Sequence, residues 1–269
     1  MRILHSMAGA YTHYSIAKAA FFHLPEREKS VIKKHPTLYF FGAQGADFCF
    51  FYPVFKSFSK VENFGRYLHK KGGYAALCVC KAFALDERLY AYTLGYLTHY
   101  AADTVFHPFV YAQAGKSPLR HSRVEAALDS YFAAKQESCP LFADYFGKQP
   151  TKGETDELFL LYAAISANAG FPPLDKPAFL RAVRLFNAYL PLPNAVFGKQ
   201  NKLRDRLVNI PREPWTHPHT GVEYTDGAEE LFTRTITQTK TLVSGFLQAI
   251  KNRTPLPRDL FAKNYLSGL

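Results

Sequence analysis

A run of ionisable residues, set at helical spacing inside an otherwise apolar stretch, constrains this chain more than any other feature. Residues 97–129 read LTHYAADTVFHPFVYAQAGKSPLRHSRVEAALD and contain His99, Asp103, His107, His121 and Glu125. Three pairs lie four apart: His99 with Asp103, Asp103 with His107, and His121 with Glu125. On an α-helix such residues stand about 40° apart on one face, so their side chains can reach a common point. One helix thus offers a His/Asp edge and the next a His/Glu edge. A single pair of this kind reads as an ion pair or a satisfied core histidine. Three of them among alanines and aromatics that should be buried are different, because an unligated cluster would desolvate several charges with nothing to offset the loss. The pattern predicts a metal centre between facing helices, a common arrangement in bundles. Zinc suits the donors, taking nitrogen from imidazole and oxygen from carboxylate, and a catalytic site leaves a position for water.

The remaining stretches between Pro and Gly breaks carry apolar residues at spacings of three and four, which predicts further helices. They fall at 11–22, 25–34, 61–71, from Asp86 to about Phe106, from Ser117-Pro118 past Ala134, and at 154–169, 176–190, 195–207 and 228–252. Pro25 suits a first helical position, Glu26 and Glu28 the first turn, and Lys33 and Lys34 the last. Gly72-Gly73 is expected to close the helix before it. The segment 41–53 reads as a loop, with a strand at CysPhePheTyr as the alternative. Hairpin signals are missing, since Asp226-Gly227 leads into a helical stretch. The expected fold is all-α: a single-domain multi-helix bundle over 1–269, of roughly eight to ten helices, with a metal cluster in its interior.

Composition removes several classes. With 269 residues, 48% of them hydrophobic, the chain is globular rather than disordered, collagenous or coiled-coil. Cys49, Cys78, Cys80 and Cys139 show no CxxC spacing, so neither a zinc ribbon nor a redox motif is indicated, and they read as packing thiols. The start, MRILHSMAGAYTHYS, lacks the apolar run and cleavage site of a secretory signal, and no stretch suits a transmembrane segment. The expectation is a cytoplasmic protein. Its net charge of +11 attracts polyanions such as nucleic acid, anionic lipid or phosphoesters without choosing among them.

The run GlyTyrLeuThrHisTyrAlaAlaAsp at 95–103, followed by His107-Pro108 and ArgHisSerArgValGlu at 120–125, resembles the zinc-dependent phospholipase C family, whose fold is shared with the S1/P1 nucleases. Upstream, Thr12-His13 and GlyAlaGlnGlyAlaAsp at 42–47 resemble that family's early histidine and its Gly-x-x-x-Pro-Asp segment, and His69 falls where the family has a further ligand. The likeness spans about Thr12 to Asp129, with a looser echo at Trp215-x-x-Pro218. It implies Asp47, His69, His99 and Asp103 on one zinc, and His107, His121 and Glu125 on a second. Asp103 would bridge to a third, also held by His13.

Three departures accompany the likeness. Secreted relatives complete the third site with an N-terminal Trp; this sequence offers none near His13, so that ion would need water or another residue such as His5. Ala46 stands where relatives often have Pro, and Asp103 and His107 are closer together than in the best-known members.

The implied activity is phosphodiester hydrolysis, a metal-activated water attacking the phosphorus of a phospholipid or related ester, with Asp47 as both ligand and general base. Such a substrate also implies contact with a membrane surface. Two alternatives stand beside it: a single-strand nuclease or nucleotidase, for which nucleic acid would be the partner, and a metal-stabilised binding protein with impaired catalysis. Phe48, Phe51, Tyr52 and Phe55 follow Asp47 and offer either a face for a quaternary ammonium or plain packing, with packing favoured. Tyr96 and Tyr100 flank His99 as hydrogen-bonding partners of the ligands or as core. His217 and His219, in a Pro-rich loop, read as surface residues outside the site.

Overall fold

The computed structural model describes residues 9–51, 60–135, 145, 147–189 and 214–269. The helix expected at 195–207, together with His5, Tyr52, Phe55 and Cys139, lies outside those residues. Within them the architecture is helical, as expected: α1 (Ala10–Phe21), α2 (Glu26–Lys34), α3 (Pro36–Gly42), a 3-10 turn at Asp47–Phe51, α4 (Lys60–Tyr67), α5 (Gly73–Ala82), α6 (Glu87–Ala114) and α7 (Pro118–Ala134). Then come α8 (Lys152–Asn168), α9 (Lys176–Tyr189), α10 (Ala228–Lys251) and α11 (Arg258–Phe261). A short antiparallel pair, β1 (Trp215–Thr216) with β2 (Glu223–Tyr224), sets Trp215 opposite Tyr224 and is the one strand pairing among the described residues. The sequence showed no hairpin signal for it, because its connection bends around His217 rather than an Asn-Gly or Asp-Gly turn.

The long helix α6 is the axis of the fold. It is apolar all round, which suits a helix enclosed by others, and α1, α3, α7 and α10 all pack on it. Asp86 caps its start by accepting from the Arg88 and Leu89 N–H groups at 2.9 and 3.1 Å. Its end differs from the expected Phe106. Pro108 sits inside the helix, which runs on to Ala114 and stops at Gly115, whose φ of 59° few other residues adopt readily. Proline lacks the N–H that the Thr104 carbonyl would otherwise receive. Gly268 packs against that carbonyl so closely that a Cβ there would lie 2.4 Å from the oxygen. His99, Asp103 and His107 therefore share one continuous helix.

Two further glycines let α3 touch α6. A Cβ on Gly42 would come within 2.1 Å of the Tyr92 carbonyl oxygen, and one on Gly95 within 1.9 Å of that of Tyr39. The Tyr39 oxygen is also held by the Ala43 N–H at 3.0 Å, so it cannot swing aside cheaply. Alanine at position 95 gains about 1 kcal/mol of helix propensity but overpacks a backbone contact at up to about 3 kcal/mol. We expect Gly95→Ala to lose roughly 2 kcal/mol of stability in denaturant titration; an unchanged midpoint would show that the two helices separate freely.

Gly72-Gly73 does not close a helix. The chain passes from α4 into α5 through a π-turn at Leu68–Gly72, a form that recurs at functional sites, and His69 sits in it. The helix expected at 61–71 is thus the first part of a longer helical run.

The α1 N-terminus is capped from another helix. Gly9 offers no side chain, and Asp129 of α7 accepts from the Thr12 N–H and from the Thr12 hydroxyl, both at 2.8 Å. Asp129→Ala should cost about 1–2 kcal/mol, as loss of a cap does, whereas Asp129→Asn keeps an acceptor and should cost much less. Equal melting temperatures for the two variants would contradict the capping role.

The cysteines follow their expected part: Cys49 and Cys80 are buried free thiols and Cys78 is half-buried and free.

Candidate metal centre

The eight residues singled out in the sequence come together and all are buried. His99, Asp103 and His107 project from α6, His121 and Glu125 from α7 and His13 from α1, while Asp47 opens the 3-10 turn and His69 occupies the π-turn. Asp103 is the hub. Its Oδ1 lies 3.4 Å from His13 Nε2 and 3.8 Å from His107 Nδ1, and its Oδ2 lies 3.3 Å from His99 Nε2 and 3.6 Å from His69 Nε2. His69 Nε2 meets Asp47 Oδ1 at 3.0 Å, and Glu125 Oε1 lies 3.0 Å from His121 Nε2 and 3.7 Å from His107 Nε2.

Neighbouring backbone aims the donors. His69 Nδ1 donates to the Gly65 carbonyl at 2.8 Å and His107 Nδ1 to the Tyr265 carbonyl at 3.1 Å, which turns each Nε2 toward the carboxylates. Asp47 depends on the bend before it. Tyr162 and Tyr92 hydroxyls donate to the Gly45 carbonyl at 3.0 and 3.3 Å, and Gln44 Nε2 donates to the Ala10 carbonyl. Gly45 has φ of 56°, and the His99 ring fills the space its Cβ would need, 2.0 Å away. Glycine is required there twice over.

Three sets of ligand-type atoms each lie within 4.8 Å of one another: Asp47, His69 and His99; His107, His121 and Glu125; and His13, His99 and Asp103. The family likeness placed Asp103 with the first set and as a bridge to the ion held by His13. In the fold its two oxygens face ligands of all three.

Burial opposes ionisation of Asp103, but the surrounding imidazoles, His99 and His107 foremost, hold its carboxyl far below the usual range. Burial also opposes protonation of His107, yet the Asp103 charge and the Glu125 hydrogen bond raise its pKa to about 9. For His99 burial wins, pushing it down to about 4, so the imidazole is neutral with a lone pair to give.

Other residues took different places. Phe48 packs on Tyr162 and Phe179, and Phe51 on Phe186, so both are core. Of the phenylalanines in that turn, the one beside the site is Phe50, its ring 5.1 Å from that of His69. Tyr96 and Tyr100 are buried and anchor the segment 260–265: the Tyr265 hydroxyl donates to that of Tyr96, and the Tyr100 hydroxyl accepts from the Lys263 N–H. His219 is exposed as expected, but His217 is not. It is buried, accepting at Nδ1 from the His219 and Thr220 N–H groups and donating from Nε2 to the Ser267 carbonyl. A tight turn with two converging N–H groups needs a buried acceptor, which a surface reading of the Pro-rich loop misses. Sequence reasoning also passed over Tyr265 and Gly65, whose backbone oxygens have no sequence signature. Asp129, four residues after Glu125, was visible as a continuation of the His121 and Glu125 edge.

A cleft of about 320 Å³ opens on the cluster, lined by every one of the eight except His99. Comparison with known families bears on this geometry: the model of the zinc-dependent phospholipase C family matches residues 12–170, more than half of the chain and all eight residues. The chain belongs to that family. No match was found among curated proteins or among solved structures. As in other zinc-dependent phospholipases C, a zinc-using hydrolase is the activity indicated.

The residues present fit such an ion. Within the cluster, buried and without a hydrogen-bond partner among the described residues are His13 Nδ1, Asp47 Oδ2, both nitrogens of His99, Asp103 Oδ2 and Glu125 Oε2. Polar atoms orphaned in the interior are costly unless something else binds them. His99 Nε2 and Asp103 Oδ2 face each other at 3.3 Å without hydrogen bonding, as two donors to a shared cation would.

A pH dependence follows for the zinc-free protein. The raised pKa of His107 contributes stability that is complete below the ordinary 6.5 and is lost as pH rises through about 9. Zinc needs the opposite state, since it takes unprotonated imidazole. Zinc affinity should therefore climb between pH 6.5 and 9 with proton release, measured by calorimetry in buffers of differing ionisation heat. Affinity independent of pH over that window would contradict a protonated His107.

Proposed function

We propose that this phospholipase C family member hydrolyses the phosphodiester of a phospholipid, releasing diacylglycerol and a phosphorylated head group. The observation that carries the reading is the set of orphaned carboxylate oxygens on Asp47, Asp103 and Glu125, three residues that line an open cleft. Asp47, His69, His99 and Asp103 would hold one zinc and His107, His121 and Glu125 a second. His13 with Asp103 would hold a third ion only where water or a further residue completes the site. Bound there, zinc supplies Lewis acidity toward a phosphoryl oxygen and acidifies water.

The protein's own groups do the rest. Asp47 reaches the cleft, and its Oδ2, which makes no hydrogen bond among the described residues, would accept a proton from the attacking water. Burial opposes its ionisation, but the neighbouring imidazoles, His99 and the hydrogen-bonded His69, keep its carboxyl below the usual range, in the basic form. Residues beyond the family match take part, since Tyr265 orients His107 and Leu266 lines the cleft. This supports reading 1–269 as one functional unit. No helix among the described residues is long and apolar enough to cross a membrane, so lipid would be met at a surface.

Short-chain phospholipids and single-stranded DNA, each assayed with and without chelator on protein of measured zinc content, test the reading. Chelator-sensitive release of diacylglycerol is the expected result. Cleavage of DNA alone would instead favour the nuclease alternative, and turnover of neither by zinc-loaded protein would leave a metal-stabilised binding protein.

A further inference from the structure

The charged lining of the cleft sorts by sign. Its carboxylates are Asp47, Asp103 and Glu125, all turned to the metal centre. Its other charged side chains are cationic: Arg66 at the end of α4, Lys70 in the π-turn, and Lys116 in the turn between α6 and α7. Lys70 and Lys116 are exposed and have no ion-pair partner among the described residues. Arg66 is tied to Glu62 at 2.7 Å, yet its guanidinium still stands over the Phe50 ring, 6.0 Å from the centroid.

That placement matters for the head group. A quaternary ammonium is recognised by an aromatic face, often with a carboxylate nearby. Here the Phe50 face already has the chain's own cation over it, and Tyr111 packs 4.8 Å from the His121 ring. No carboxylate outside the metal centre lines the cleft among the described residues. A choline would meet two unpaired ammonium groups, whereas an anion would meet complementary charge.

We infer that Lys70 and Lys116 make this cleft select phospholipids with an anionic head group over those bearing a quaternary ammonium. The inference rests on the phospholipase C reading and specifies its substrate class. Lys70 and Lys116 bind the head group, and Arg66 denies Phe50 to a cation.

The test uses short-chain phosphatidylcholine, phosphatidylglycerol and phosphatidylglycerol phosphate below their critical micelle concentrations, so attraction of a +11 protein to an anionic surface does not enter. At low ionic strength kcat/KM should rise along the series, by about tenfold from first to last, and should flatten in roughly 0.5 M salt, because exposed charges are screened. The double variant Lys70→Ala/Lys116→Ala should keep its zinc and lose most of the preference. Calorimetry should show the same order in binding, glycerol bisphosphate above phosphocholine. Equal or faster turnover of the choline lipid, or a preference untouched in the double variant, overturns the inference while the phospholipase reading stands. Turnover of none of the three lipids removes both.

Discussion

Replacing Asp103 with alanine is expected to lower the zinc content of the protein and its melting temperature together. Asp103 lies 3.3 to 3.8 Å from four imidazoles, those of His13, His69, His99 and His107. Without it, buried cationic histidines have lost a principal counter-ion, and removing one partner from a buried ion pair typically costs about 3–5 kcal/mol. For a chain of this size that corresponds to roughly 10 °C. Zinc-loaded protein should lose more, since binding to the native state adds stability that the variant forfeits. Asp103→Asn keeps the shape without the charge and guards against simple misfolding: it should melt higher than the alanine variant yet still bind zinc poorly. Elemental analysis and thermal melts with and without chelator read both quantities. Wild-type zinc content in either variant would remove Asp103 from the metal centre.

Asp47→Asn is expected to separate chemistry from metal binding. The amide oxygen can retain the His69 contact at 3.0 Å, and the set made by His107, His121 and Glu125 is untouched. An amide cannot take a proton from water, and loss of a general base typically lowers a rate by about 10²–10⁴-fold. The variant should therefore lose far more kcat than zinc. A near-normal kcat would reject Asp47 as the base, and a loss of rate matched by loss of zinc would leave it a ligand alone.

Much of the centre was legible in the sequence because its geometry is local. Spacing of four sets two side chains on one helix face whatever surrounds the helix, so the His99, Asp103, His107 series and the His121, Glu125 pair were readable before any fold was known. Helix starts were readable for the same reason, at Asp86 and at Ser117, which caps its helix by accepting from the Arg120 N–H. The misreadings came from residues whose local preference yields to packing. Pro108 signals a helix end, but Gly268, distant in sequence, covers the carbonyl it frees. Gly72-Gly73 signals a stop, but those glycines admit Tyr67 and Tyr265, and the chain turns through a π-turn instead. Phe48, Phe50 and Phe51 look alike in sequence, and the path of the 3-10 turn sends only Phe50 to the cleft.

The sequence by itself determined an all-helical chain carrying imidazoles and carboxylates at ligand spacing, and with them the family. Only the tertiary structure decided that Asp103 serves as the hub of three donor sets, that the Tyr265 carbonyl aims His107, and that cations rim the cleft. The physical reason is range. Helical period and capping act across one turn of chain, whereas Asp103 meets His13 and Tyr265 meets His107 only after burial of the apolar faces has brought distant helices together.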